Sequence, residues 1–413
     1  MLGPYRVLDL TNHRGLLCGQ MLADLGADVI QVEPPGGSPA RRLGPFAGDV
    51  ADPEHSLFWW AYARNKRGVT LDVEHPDGQA LFRRLAMTAD FVIESERPGT
   101  LATWGLDHES LASVNPRIVM VSISPFGQSG PKADWAESDL VLLAAGGPLI
   151  LQGDDDRAPV RLPVPQAYLH AAAEAAVAAL VAHHERERSG RGQHVDVSTQ
   201  QAVALATQSY ILCDALGAPE VRRTAGGLKH GRLTLRLLFP ARDGFVAITF
   251  LFGSAIGHFS RRLMQWIHDE GGCDRATRDK DWIAYTHLLT SRQEPIEEFE
   301  RVKALIADFT RTKTKAELLA AAVERDLLIA PVATVDEVVA SPQLASRAYW
   351  RTHRHPVGDG EVRYPGPFAV FGATPLEYRR RAPRVGEHNR EIYQGDLGLD
   401  DAAFAELVAG GCI

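Results

Sequence analysis

Short apolar strands alternate with segments of helical spacing through the first third of the chain, and this alternation narrows the possible folds most. Tyr5-Arg-Val-Leu-Asp-Leu10 is a β-rich run, Leu17 to Leu25 carries apolar residues at helical spacing, and Ala27-Asp-Val-Ile-Gln-Val-Glu33 is a second strand. The pattern repeats in Gly68-Val-Thr-Leu-Asp72 and a helix from about Pro76 to Met87, where proline suits the first helical position. Phe91-Val-Ile-Glu94 and Arg117-Ile-Val-Met-Val-Ser122 follow as strands. Repeated βα units predict an α/β fold with a largely parallel, doubly wound sheet, and ligands beyond the carboxyl ends of its strands.

The alternation breaks between Leu149 and Pro165, a polar loop with Asp154-Asp155-Asp156 and three prolines. An alanine-rich helix from about Gln166 to Arg188 follows, stopped by Ser189-Gly190, and its small side chains predict close packing against another helix or another subunit. After Gly192 to Ser198 and a helix to about Leu216, the charged, glycine-rich segment Glu220 to His230 is read as a domain boundary. Leu233 to Thr249 reads as strands and about Lys280 to Val323 as amphipathic helices, a smaller α+β unit. From Ala330-Pro331 the chain is expected to return to the main body. Residues 1–218 and 331–413 would then form a large domain, and 219–330 a small one.

Composition excludes several classes of function. With 44 Lys+Arg against 52 Asp+Glu in 413 residues, the net charge is 44 − 52 = −8, and no basic tract offers the footprint that nucleic acid or an anionic membrane needs. No run approaches the roughly 18 apolar residues of a membrane span, and the amino terminus runs straight into a strand, so a cytoplasmic protein is expected. The four cysteines are scattered, without disulfide-scaffold or C-x-x-C spacing. The phosphate-binding loop, the G-x-G-x-x-G turn, H-E-x-x-H and G-x-S-x-G are all absent. His183-His184 reads as a solvated helix end rather than a metal site, since adjacent helical positions point about 100° apart. The three aspartates read as a solvated turn rather than a cation site.

Taken in order, VLDLTNHRG, MLADLGADVIQVEPPGG, NKRGVTLDVEHPDGQALFRRL, LASVNPRIVMVSISPFGQSGPKAD, SGRGQHVDVSTQQA, FPARDGFVAIT and APRVGEHNREIY resemble the class III CoA-transferases, the formyl-CoA and carnitine CoA-transferase type, along nearly the whole chain. The resemblance implies a Rossmann-like large domain built from both chain ends, a small domain in the middle, and two interlocked subunits. It also implies CoA transfer between carboxylic acids, with a CoA thioester as substrate and no metal. In such transferases an aspartate attacks the thioester to give a mixed anhydride, and thiolate then returns to give an enzyme-CoA thioester. Backbone N–H groups or small side chains must stabilise each oxyanion. The resemblance places CoA approach at His13, Arg14 and Gly15, and further contacts at Leu71 and at Arg97; for Arg97 a surface ion pair is the alternative.

The chain departs from the family where the chemistry sits. The family pattern P-V-x-x-x-x-P-x-A-D-L reads here Pro159-Val-Arg-Leu-Pro-Val-Pro-Gln-Ala-Tyr168-Leu169, which puts Tyr168 at the nucleophile position. A phenol with an ordinary pKa of about 10 is protonated at neutral pH, and its ester cannot become a carboxyl-CoA thioester. Glu74, Thr103 and Pro34 stand where the family keeps cations, which weakens diphosphate binding. Ser138 replaces the histidine that racemase relatives set before Asp139.

Two functions are expected from this. One is the catalytically degenerate subunit of a heteromeric CoA-transferase, paired with a homologous subunit that keeps the aspartate, as the resemblance to benzylsuccinate-type members implies. The other is a homodimeric enzyme acting on acyl-CoA thioesters as transferase, isomerase or lyase by non-aspartyl chemistry, with Asp139 as substitute base and Tyr168 as proton donor. Asp139 also reads as the cap of a helix from Leu140, and His170 as a packing or surface residue.

Overall fold

The computed structural model describes residues 1–217, 223–230, 233–355 and 360–413. The boundary expected at 218/219 lies outside them. The chain divides into two compact units, Met1–Leu149 with Arg161–Leu216 and Gln343–Ile413, and Ile150–Val160 with Gly217–Pro342.

The first unit is built on six parallel strands, β1 Arg6–Asp9, β2 Asp28–Glu33, β3 Arg67–Thr70, β4 Phe91–Glu94, β5 Val119–Ser124 and β6 His194–Ser198, in the order β3-β2-β1-β4-β5-β6. β3, β4 and β5 are buried along their whole length, as expected of parallel strands covered on both faces. The helices of this unit before residue 217 are α1 Leu16–Asp24, α2 Leu57–Tyr62, α3 Pro76–Ala86, α4 Thr100–Thr103, α5 His108–Val114, α6 Asp139–Ala145, α7 Ala167–Ser189, α8 Thr199–Ala204 and α9 Gln208–Ala215. One core lies between the sheet and α1 with α7, where Val7, Val29, Phe91, Val121, Leu22 and the alanines of α7 meet. A second lies on the opposite face, with Leu8, Ile30, Val69, Leu71, Val92 and Met120 against Phe82, Leu85 and Leu111.

Helix α7 shows why the alanine-rich sequence is needed. Ala171, Ala172, Ala175, Ala176, Ala179 and Ala182 are all buried, so the helix backbone lies close to α1 and β5. Gly190 ends it in the left-handed region at φ 76°, where glycine carries no Cβ penalty. The single helix expected to Leu216 is instead α8, a turn of 3₁₀-helix at Leu205–Thr207, and α9.

The second unit contains β7 Gly227–His230 paired with β8 Leu233–Arg236, and a three-stranded antiparallel sheet of β9 Leu238–Ala241, β10 Gly244–Ile248 and β11 Ile329–Pro331. Among the described residues six helices accompany them: α10 Gly257–Asp269, α11 Arg275–Arg278, α12 Tyr285–Thr290, α13 Ile296–Arg311, α14 Lys315–Arg325 and α15 Val335–Val339. Ala330-Pro331, expected to lead back to the large domain, is the edge strand β11 of this sheet, and the unit continues to Pro342. Proline is tolerated there because an edge strand has one side without partners. Phe250 and Phe252 pack with Trp282, Tyr285 and Phe299 as an aromatic core. Among the described residues no helix is long and apolar enough to cross a membrane.

Candidate functional site

The loop after β1 is fixed from beneath by a fully buried ion pair. Lys66 donates from Nζ to Asp9 Oδ2 at 2.7 Å, to Gln31 Oε1 at 2.9 Å and to the Leu16 carbonyl at 3.0 Å, and neither charged residue has exposed surface. Asp9 Oδ1 accepts from the Thr11 amide at 2.9 Å and its hydroxyl at 2.6 Å. Every lone pair so engaged offsets the cost of burying the charge. A side chain at Gly19 would put Cβ 1.9 Å from Asp9 Oδ2, so glycine is what lets α1 lie against this pair.

His13, Arg14 and Gly15 form the loop above. The Arg14 amide donates to Asn12 Oδ1 at 3.1 Å, and the Asn12 amide to Ser95 Oγ at 3.1 Å. The Arg14 side chain donates from Nη1 to the Ser95 carbonyl at 3.1 Å and from Nη2 to Glu137, forming a largely buried ion pair. A Cβ on Gly15 would clash with Thr11 Cγ2 at 2.5 Å. Against burial, which opposes its charge, Tyr168 and Glu137 raise the Arg14 pKa.

Tyr168 is the second residue of α7 and is 6% exposed, packed with Phe126, Leu142, Leu143 and Val203. The His13 ring meets its ring edge-on, with centroids 5.7 Å apart at 85°. Burial pushes the phenol pKa well up, Glu137 adds to the rise and Arg14 opposes it. The hydroxyl is set between these two charged groups. Burial also lowers the His13 pKa, and Arg14 lowers it further, while Glu137 opposes.

Asp139 belongs to the same corner but not as the cap of its own helix. Ser138 caps α6, its hydroxyl accepting from Val141 N–H at 3.3 Å. Asp139 Oδ1 instead accepts from the amides of Gln166 at 2.7 Å and Ala167 at 2.8 Å, the entry to α7. It thereby fixes where Tyr168 starts its helix. Its Oδ2 is buried without a partner.

The other expected contacts fall elsewhere. Leu71 is 1% exposed and belongs to the apolar core opposite α7. Arg97 donates to the Asp134 carbonyl at 3.1 Å and lines a separate cavity of about 300 Å³ with Glu94, His108, Ser122, Gln128 and His194. Glu74, Thr103 and Pro34 are exposed, and His170 is an exposed residue of α7. His183 is not a solvated helix end: its ring packs edge-on against Tyr5 at 4.4 Å and its Nδ1 meets Arg186 Nη2 at 2.8 Å. No group of metal-ligating side chains is assembled among the described residues.

Two residues central to this corner, Glu137 and Ser95, were not singled out in the sequence. Each is a single polar residue in irregular backbone, without periodic or motif signal. The nearest hint was the Ser138-Asp139 pair beside Glu137.

Chemically the corner offers a fixed guanidinium, a protonated phenol and a neutral imidazole, and its carboxylates are engaged by the protein itself. The sequence profile described as CoA-transferase family III matches residues 2–389. The chain is 37% identical to the succinyl-CoA:(R)-benzylsuccinate CoA-transferase subunit BbsE of Thauera aromatica, over 94% of this chain and 92% of that one. It is 34% identical to the succinyl-CoA–D-citramalate CoA-transferase of Chloroflexus aurantiacus, over 99% and 97%. The crystal structure of a CAIB/BAIF family protein from Brucella suis superposes with a TM-score of 0.81 at 27% identity, covering 95% of this chain and 98% of that one. With a profile match across nearly its whole length and relatives of this identity, the chain belongs to CoA-transferase family III.

Proposed function

We propose that this chain is the aspartate-lacking subunit of a heteromeric CoA-transferase that moves CoA from an acyl-CoA such as succinyl-CoA to a small carboxylic acid. Tyr168 carries the proposal. The motif from Pro159 to Leu169 is read as putting it at the nucleophile position, and its burial beside Glu137 keeps it a protonated phenol, which cannot pass through the carboxyl anhydride and thioester that CoA transfer needs. Likeness to a relative named as one subunit of a benzylsuccinate CoA-transferase supports the two-subunit arrangement. The parallel strand order supports a Rossmann-like large domain built from both chain ends, with a small domain between them. An interlocked dimer with a homologous, aspartate-bearing subunit and a cytoplasmic location complete the reading.

A homodimeric acyl-CoA enzyme is the second reading, favoured by the buried, unpartnered Asp139 Oδ2, an acceptor left free in the corner that holds Tyr168.

Expression of the chain alone and together with an aspartate-bearing homologue encoded nearby separates the two. The subunit reading expects no CoA transfer from the lone chain and transfer from the co-expressed pair. Turnover of a CoA thioester by the lone chain, abolished by Tyr168→Phe or Asp139→Asn, would overturn it.

A further inference from the structure

We infer that Arg14 and Tyr168 form a carboxylate-binding subsite in this chain, which Glu137 fills until the carboxylate of a small organic acid displaces it. The inference rests on the proposed CoA-transferase reading and names the ligand class of its corner.

The geometry of the donors carries it. A guanidinium holds a carboxylate best through two parallel N–H donors. Arg14 spends Nη1 on the Ser95 carbonyl and Nη2 on Glu137, which leaves Nε buried and unpartnered. Beside it, the Tyr168 hydroxyl faces the same guanidinium and Glu137. An idle buried Nε next to an engaged Nη2 describes a place for the second oxygen of a carboxylate, with the Tyr168 hydroxyl at its side. An incoming anion would recover the cost of leaving that donor unmet. Glu137 engages the guanidinium through Nη2 alone.

The two sides of the ion pair are held differently. Arg14 is tied through its amide, its guanidinium and the Ser95 segment. Glu137 stands in irregular backbone ahead of α6, and its carboxylate is held by the Arg14 guanidinium with the Tyr168 hydroxyl beside it. Exchange for a ligand carboxylate therefore replaces Glu137 at Arg14 and Tyr168 and leaves the backbone ties of Arg14 intact. Asp139 does not compete for Arg14, because one of its oxygens is bound by the two amides that open α7.

Succinate titrated calorimetrically into the assembled protein tests the subsite, with uncharged succinamide as control. Glu137→Gln removes the internal competitor and is expected to tighten succinate binding about tenfold or more, because charge-assisted hydrogen bonds are the strong ones. Arg14→Gln is expected to abolish that component. Arg14→Lys, which keeps the charge and the fold but not the fork, should weaken it by about tenfold. Tyr168→Phe should weaken it several-fold. Unchanged succinate affinity in Arg14→Gln and Arg14→Lys, or no gain in Glu137→Gln, would overturn the proposal, as would equal binding of succinamide. The transfer assay of the lone and co-expressed chains reports separately on the subunit reading, so either can fail while the other stands.

Discussion

Glu94 ends a strand whose four residues are all buried, and among the described residues no ion pair is formed by its carboxyl. It accepts from the Glu96 amide at 2.6 Å and lies beside Ser122, whose hydroxyl is 2.8 Å from His194 Nε2. Burial lifts its pKa from 4.5 to about 7; Ser122 and the Glu96 amide oppose the rise, and the like charges of Glu96 and Asp196 add to it. The raised value fixes the sign of its effect on stability. Below pH 4.5 the carboxyl is protonated in both folded and unfolded chains, and its contribution is fully present. As pH climbs toward 7 the unfolded chain releases the proton first, so stability is lost through that window. The shift corresponds to on the order of 3 kcal/mol at about 1.4 kcal/mol per pH unit. Glu94→Gln keeps an acceptor for the Glu96 amide and removes the titration. Its urea midpoint, compared with wild type, should move upward between pH 5 and pH 7.5. A constant difference across that range would show that Glu94 does not titrate there.

At the level of elements, α7 is the part in which sequence and packing agree most closely. Its alanines face α1 and β5, where Ala175 has no exposed surface. Leucine at that position would have to force a helix and a sheet apart, and overpacking of this kind costs about 1–3 kcal/mol. Ala175→Leu should therefore lower the thermal midpoint by several degrees, as read by circular dichroism; an unchanged midpoint would mean that α7 is not tightly packed. The strands of the first third were legible because buried parallel strands are written as unbroken apolar runs, Phe91–Glu94 to the residue. The break between α8 and α9 was not, since Thr199 to Leu216 contains neither proline nor glycine to mark it. Nor was β11, three residues long and ending in proline, whose strand character comes wholly from pairing with β10. In the candidate site the same division holds. Tyr168 was legible because a proline-spaced motif frames it, whereas Glu137 and Ser95 matter only through their contacts with Arg14.

For the whole molecule, the outer side of the α7–α9 region poses the question of what covers it. Val177 and Val181 are 55% and 64% exposed, and Leu205, Ile211 and Leu212 are 48%, 57% and 59% exposed. A groove of about 520 Å³ runs beside them, lined by Ala178, Val195, Val197, Ala202, Leu205 and Ile211. Apolar surface gathered in this way marks a contact with another protein more often than free solvent. In the proposed assembly a homologous subunit is the natural occupant, since a chain threaded through its partner must present apolar surface outside its own cores. These side chains contribute little to the chain's own packing, so charging them should leave its fold intact. Val181→Asp with Leu205→Asp would place two carboxylates in the buried part of the contact, where unpaired charge costs several kcal/mol. Sedimentation velocity should then find the variant monomeric, with the helical signal of the wild type and no co-purifying partner. Dimers that persist in the variant would move the subunit contact to another face and leave this groove without an occupant.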